Sequence, residues 1–281
     1  MSDNLQGAWV THNGLRRDNN EDAIFFGNDK IFGKSMAHAV PLQCEVENGW
    51  LIGVADGVGG HNAGEAASRL CVEGMSALEE ALPLSVERRL TELNREIYDK
   101  AEEDESLAGM GTTVAGVGMG DKGLFAFNVG DSRVYKFSEE KGLERVTIDD
   151  SLRERGAEPG QSPSPFAPSN VITQALGGRK QFKEITPNLD YELDLSEETL
   201  FLICSDGLSD MVTNERMEQI LQSTNATLNL VDAVNALLEA ALDGGGRDNV
   251  SIVLGHYVPA EEHKPKPLSV WKKIFGVRKQ R

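Results

Sequence analysis

Short apolar runs rich in branched and aromatic residues recur along the chain and predict strands: DAIFF (22–26), WLIGVA (50–55), TTVAGVG (112–118), GLFAFNV (123–129), SRVYKF (132–137), NVITQAL (170–176), TLFLICS (199–205) and NVSIVLGHY (249–257). Helical spacing appears in two paired blocks. Ala66, Leu70, Met75, Leu78 and Leu82 form one stripe that Pro83 is expected to end, and Val86, Leu90, Leu93, Ile97 and Ala101 form the next. The second block holds Met217, Ile220 and Leu221, then Leu230, Val231, Val234, Leu238 and Ala241, closed by the glycines at 244–246. Strands, a helix pair, many strands, a helix pair and a last strand do not make the alternation of a doubly wound sheet. An α+β arrangement of mostly antiparallel sheets covered by helices is expected.

Two stretches carry little periodicity, and the end of the chain has a pattern of its own. Residues 28–49 read as a long loop or insertion. Residues 149–169 contain Pro159, Pro163, Pro165 and Pro168, and read either as a functional lid or as a surface excursion. After Pro265 and Pro267, Leu268, Trp271, Ile274 and Phe275 fall at helical spacing among Lys272, Lys273, Arg278, Lys279 and Arg281. That pattern fits a basic amphipathic segment that meets a membrane surface or an acidic partner, folds back on its own body, or is a plain chain end. The chain therefore divides into a body, 1–258, and a basic tail, 259–281.

Charge sharpens this division. The net charge is −17, with 45 Asp and Glu against 28 Lys and Arg; the tail carries +5, which leaves −22 on the body. So acidic a surface repels phosphate backbones and argues against nucleic acid as the main partner. No run approaches the roughly 18 apolar residues of a membrane span. The opening MSDNLQGAWVTHNGLRR lacks the apolar core of a secretory signal. Cys44, Cys71 and Cys204 form no CxxC pair and no disulfide framework, so a reducing, cytoplasmic setting is expected.

Several motifs fail at particular residues. Gly27 to Ser35 nearly spells a P-loop, but five residues separate Gly27 from Gly33 where four are required. Gly118, Gly120 and Gly123 match GxGxxG between two strands, where no helix follows. Asp18, Asn20 and Asp22 open like a calcium loop, yet its sixth position is Ala23 rather than glycine. None of the cysteines has arginine six residues on, and Ile203 replaces the first glycine of a hydrolase elbow around Ser205. Five histidines without HxxxH or HExxH disfavour a zinc hydrolase.

What remains is a set of aspartates at strand ends: Asp22, Asp56, Asp131, Asp206 and Asp248. Asp-Gly is a common hairpin turn, but Asp56-Gly57 and Asp206-Gly207 both lead towards helices rather than strands. A carboxylate beside a buried run must be paired, hydrogen-bonded or bound to metal. Together the five favour a hard, oxygen-liganded cation, and two such ions about 3.5–4 Å apart can share a carboxylate and activate a water.

The motifs RRDNNEDA (16–23), ADGVGGHNAGEAAS (55–68), GTTVAG (111–116), VGDSRVY (129–135), NVITQALGG (170–178), ICSDGLSD (203–210) and GRDNVSIV (246–253) come in an order that resembles the metal-dependent protein phosphatases, the PPM or type 2C family, in their compact bacterial form. The resemblance spans about residues 7–257. It implies a four-layer α-β-β-α sandwich and a monomeric serine/threonine phosphatase that acts on phosphoproteins, a serine/threonine kinase among them. It also implies a binuclear manganese or magnesium centre. On this chain Asp56 would bridge both metals with the Gly57 carbonyl beside it, and Asp206 and Asp248 would hold the second. Asp22 would act through water, Asp131 with Asp206 would make a third site, and Arg17 would bind substrate phosphate. Residues 149–169 match the family's flap. Some relatives carry a histidine directly after the Asp-Gly, whereas Val58 stands there here and His61 lies three residues on, so the proton donor is unassigned. The competing readings are a silent phosphoprotein-binding scaffold of the same fold, which the full set of aspartates disfavours, and another two-metal phosphoesterase such as a nuclease, which the acidic body disfavours.

Overall fold

The structure is a computed structural model that describes residues 4–44, 49–59, 62–120, 123–155, 166, 171–193 and 198–259. In chain order it runs β1 (Asn4–His12), β2 (Ala23–Phe26), β3 (Asp29–Phe32), β4 (Val40–Cys44), β5 (Trp50–Ala55), β6 (Gly57–Val58), α1 (Asn62–Ser76) and α2 (Pro83–Glu103). Then follow β7 (Gly111–Thr112), β8 (Val114–Gly120), β9 (Gly123–Val129), β10 (Arg133–Ser138), β11 (Gly142–Arg145), α3 (Leu152–Arg155) and β12 (Leu176–Gly177). The chain continues through β13 (Asn188–Leu193), β14 (Thr199–Cys204), α4 (Asp206–Ser209), α5 (Asn214–Ser223), α6 (Leu230–Asp243) and β15 (Val250–Val258).

Two six-stranded antiparallel sheets dominate, in the orders β11-β10-β14-β15-β1-β4 and β13-β9-β8-β5-β2-β3; β12-β7-β6 make a small third. Side chains on a strand point alternately to opposite faces, and here the alternation builds four layers. On β14, Leu200, Leu202 and Cys204 pack under α5 and α6, while Phe201 and Ile203 face the other sheet. On β2, Ala23 and Phe25 pack under α1 and α2, while Ile24 and Phe26 face inward. The order helices, sheet, sheet, helices is the expected α-β-β-α sandwich. Glycines make room for its rings: a side chain at Gly116 would strike Phe127, and one at Gly7 would strike Phe26.

Several expectations need correction. Pro83 does not end the first helix, which stops at Ser76; it opens the second, where its missing N–H costs nothing. The stretch 28–49 is not one loop but contains β3 and the edge strand β4. β1 was not anticipated, yet it lies between β15 and β4. The run at 170–176 makes no full strand: its described part has one bridge, Ser151 to Ile172, before the short β12. Thr113 interrupts the predicted strand 112–118, because its N–H leaves the ladder to bond the Asp56 carbonyl at 2.8 Å. α5 starts at Asn214 behind Thr213, whose side chain accepts from the Arg216 N–H. His61, most of the flap and residues 260–281 of the tail lie outside the described residues.

Candidate metal centre

Strand register explains why distant aspartates meet. Ala23 pairs with Ala55, so Asp22 and Asp56 flank one end of the β2–β5 ladder. Cys204 pairs with Ile252 and Arg133 with Cys204, which brings Asp206, Asp248 and Asp131 to the corresponding end of the other sheet. The sandwich thus presents all five acids at one edge.

Asp22 is the most deeply buried of them. Its Oδ2 accepts from Ser205 Oγ at 2.8 Å, and the Ser251 N–H in turn donates to Ser205 Oγ at 3.0 Å. Its other oxygen, Oδ1, is buried with no hydrogen-bond partner. Burial first, and the Asp248 charge after the opposing Ser251 and Ser205 hydroxyls, push its pKa up to about 7. Burial, then the charges of Asp22, Asp206, Asp131 and Asp248, hold Asp56 well above the usual carboxylate range. Asp206 is raised in the same way by burial, Asp131 and Asp248. Asp131 rises to about 6, through burial and then Asp149. Asp22, Asp56, Asp131 and Asp206 are therefore costly to ionise where they stand.

The backbone around them is tightly fixed. The Asp56 carbonyl accepts from Thr113 N at 2.8 Å and Thr112 Oγ1 at 2.9 Å. Gly57 N donates to the Glu21 carbonyl at 3.2 Å, and a side chain at Gly57 would collide with Gly64. Val58 pairs with Gly111 in the small sheet, so the residue after Asp-Gly is a strand residue without acid chemistry. Asn249, which the sequence reading passed over, stitches the rim: its Oδ1 accepts from Glu21 N at 2.8 Å, and its Nδ2 donates to the carbonyls of Asn13 at 3.2 Å and Asn19 at 2.9 Å. Glu21 was also missed. It is buried, and its carboxylate lies against Gly64. Asp210 is a third omission: its N–H bonds the Asp206 carbonyl and its charge raises the Asp206 pKa. The repeated acids in NNED and SDGLSD were the available signal.

Arg17 sits on the exposed rim, where its Nη2 donates to Asp248 Oδ2 at 2.7 Å. All six side chains singled out in the sequence therefore belong to one neighbourhood, with Gly57 beside Asp56. Among the described residues no three His, Cys, Asp or Glu side chains close on a single point, so this is a gathered set of acids rather than a finished cage. It still fits hard divalent cations: the donors are carboxylate oxygens, one is buried and orphaned, and the acids raise one another's pKa.

Comparison with known proteins agrees with this fold. The family model for protein phosphatase 2C matches residues 37–243. The chain belongs to that family. The matched stretch takes in Asp56, Asp131 and Asp206, while Arg17, Asp22 and Asp248 lie outside it. The serine/threonine protein phosphatase PstP of Mycobacterium tuberculosis is 29% identical over 273 residues, covering 94% of this chain. The chain spans about half of that relative's length, 47%. The serine/threonine phosphatase stp of Listeria monocytogenes is 31% identical over 221 residues, 74% of this chain and 84% of the relative. Among solved structures of the family, a Streptococcus agalactiae serine/threonine phosphatase superposes with TM-score 0.69 at 26% identity, over 89% of this chain and 98% of the other. The catalytic domain of PstP in complex with two manganese ions superposes with TM-score 0.67 at 29% identity, over 92% of this chain and 100% of the other. Among the described residues no helix is long and apolar enough to cross a membrane.

Proposed function

We propose that this chain is a metal-dependent protein phosphatase that removes phosphate from phosphoserine and phosphothreonine in proteins, serine/threonine kinases being among its partners. The observation that carries the reading is the gathering of Asp22, Asp56, Asp131, Asp206 and Asp248 at one sandwich edge, where burial and neighbouring carboxylates raise Asp22, Asp56 and Asp206 and where one oxygen of Asp22 is orphaned. Asp56, Asp206 and Asp248, with the Gly57 carbonyl, would hold two manganese or magnesium ions, and Asp131 with Asp206 a third. When bound, these ions would supply the charge that lowers the pKa of water and neutralises phosphate oxygens.

The chain's own groups do the rest. Thr112 and Thr113 fix the Asp56 carbonyl and so aim the following Gly57. Ser205 holds one oxygen of Asp22 and leaves the other buried and without a hydrogen-bond partner. Arg17 offers a planar fork that matches two phosphate oxygens, a fit that lysine lacks. With valine at 58, protonation of the departing serine or threonine oxygen falls to solvent rather than to a side chain at that position.

Hydrolysis of a phosphothreonine peptide with manganese, with and without EDTA, is the test. Turnover that needs the ion, and that Asp56→Asn abolishes, supports the reading. Rates that survive exhaustive chelation would sink it.

A further inference from the structure

Asp248 has both oxygens engaged by its own chain. Oδ1 accepts from the Asn249 N–H at 2.8 Å, and Oδ2 accepts from Arg17 Nη2 at 2.7 Å. Arg17 is on the rim and more than half exposed, at 52% of its side-chain surface, so nothing packs it into this pose. Its hydrogen bond to Asp248 is the largest influence on its charge, ahead of the more distant Glu21 and Asp56. One residue thus stands between two tasks, since the Nη2 held by Asp248 is a donor that the fork would offer to a phosphate.

We propose that Arg17 and a bound divalent cation are rivals for Asp248 Oδ2, so that loading the centre unlatches the guanidinium and presents it to substrate phosphate. This rests on the metal assignment above and adds an order of assembly, cation first and phosphoprotein second. The physical basis is repulsion at one oxygen. Arg17 takes one lone-pair site on Oδ2 and the Asn249 N–H one on Oδ1, and a guanidinium seated on Oδ2 sets its positive charge beside any cation that comes to the same oxygen. The exchange is inexpensive, because a solvent-exposed arginine–carboxylate pair contributes only about 0.2–1 kcal/mol. A small latch of this kind biases the order of binding without blocking it.

Calorimetric titration of magnesium or manganese into the full-length protein, with no phosphate present, tests the rivalry. Arg17→Gln should tighten cation binding roughly 1.4- to fivefold, the factor equivalent to losing an exposed pair. Arg16→Gln removes the same charge from the adjacent exposed residue and controls for through-space repulsion. It should tighten binding by less than half as much, and its effect should fade at higher salt. In the wild type, the Arg17 side-chain nitrogen resonance should shift as diamagnetic magnesium is added. Equal gains from the two variants, or an Arg17→Gln affinity that is unchanged or weaker, would overturn the latch while leaving the metal centre intact. A wild type that takes up no cation at millimolar concentration would instead overturn the functional reading itself.

Discussion

Asp131 and Asp149 are both buried aspartates near the same turn, and the protein treats them in opposite ways. Asp149 is met by two arginines: Arg133 donates through Nε at 3.0 Å and Nη2 at 2.7 Å, and Arg145 lies at 3.5 Å. Arg145 also pairs with Glu154 on α3, whose carboxylate caps the Asp149 N–H at 3.0 Å. Asp131, with Asp22, Asp56 and Asp206, has acids as its strongest charged neighbours, and burial and repulsion raise all four. The chain shows that it can supply cations to a buried acid when the purpose is structural. Where it withholds them, the acids are left facing one another, the arrangement that the proposed metal centre needs.

Exchanging the character of each group tests this contrast. Asp56→Asn should reduce manganese-dependent turnover by about 10²–10³-fold, at or beyond the 10–100-fold typical of residues behind a metal ligand, while the fold survives. Circular dichroism alongside the assay checks both halves. Asp149→Ala should do the reverse: it removes the carboxylate partner of Arg133 and should cost about 3 kcal/mol in urea unfolding.

A pH series sharpens the same point. Asp22 has a folded pKa near 7, above its unfolded value of about 3.9. The neutral form therefore favours the folded state, fully below pH ~4, and that stability is lost as pH rises through about 7. In chelator, the unfolding free energy of wild type relative to Asp22→Asn should fall across this window, by on the order of 1 kcal/mol for each unit of upward shift. Manganese should flatten the slope. Smallest of all is the exposed cross-strand pair of Lys136 and Glu144, 3.0 Å apart, where Lys136→Ala should cost less than about 1 kcal/mol. A loss as large as that of Asp149→Ala would mean that burial does not decide what an ion pair is worth here.

The acids were legible because carboxylates beside buried strand runs leave few physical options, and their order along the chain carried the family likeness. The central pairing of β1 was not. Its sequence NLQGAWVTH hides a two-sided burial behind Gly7 and Ala8, which are small because the Phe26 ring and the helix layer press on them. β4 holds Pro41 and partly exposed residues, as an edge strand does, so no alternation marks it. The apolar run at 170–176 misled in the other direction. Val171 is 40% exposed, and the backbone there closes the flap base instead, with Leu152 N bonded to the Val171 carbonyl and Thr173 N to that of Asp150. The Arg133–Asp149 pair and the Asn249 stitches were invisible because they join residues distant in sequence by polar contacts that follow no periodic pattern.

The pairing of β1 with β15 also has a mechanical side. Asn4 faces Val258 at one end of this seam and His12 faces Val250 at the other. The acids lie at the His12 end, about 27 Å away along a nine-residue strand. Force applied by pulling Asn4 and Val258 apart would open the ladder rung by rung, like a zip, rather than shearing all its hydrogen bonds at once. Such a seam yields at low load. It parts first at the end far from the chemistry, and the rung beside Arg17 and Asp248 is the last to go.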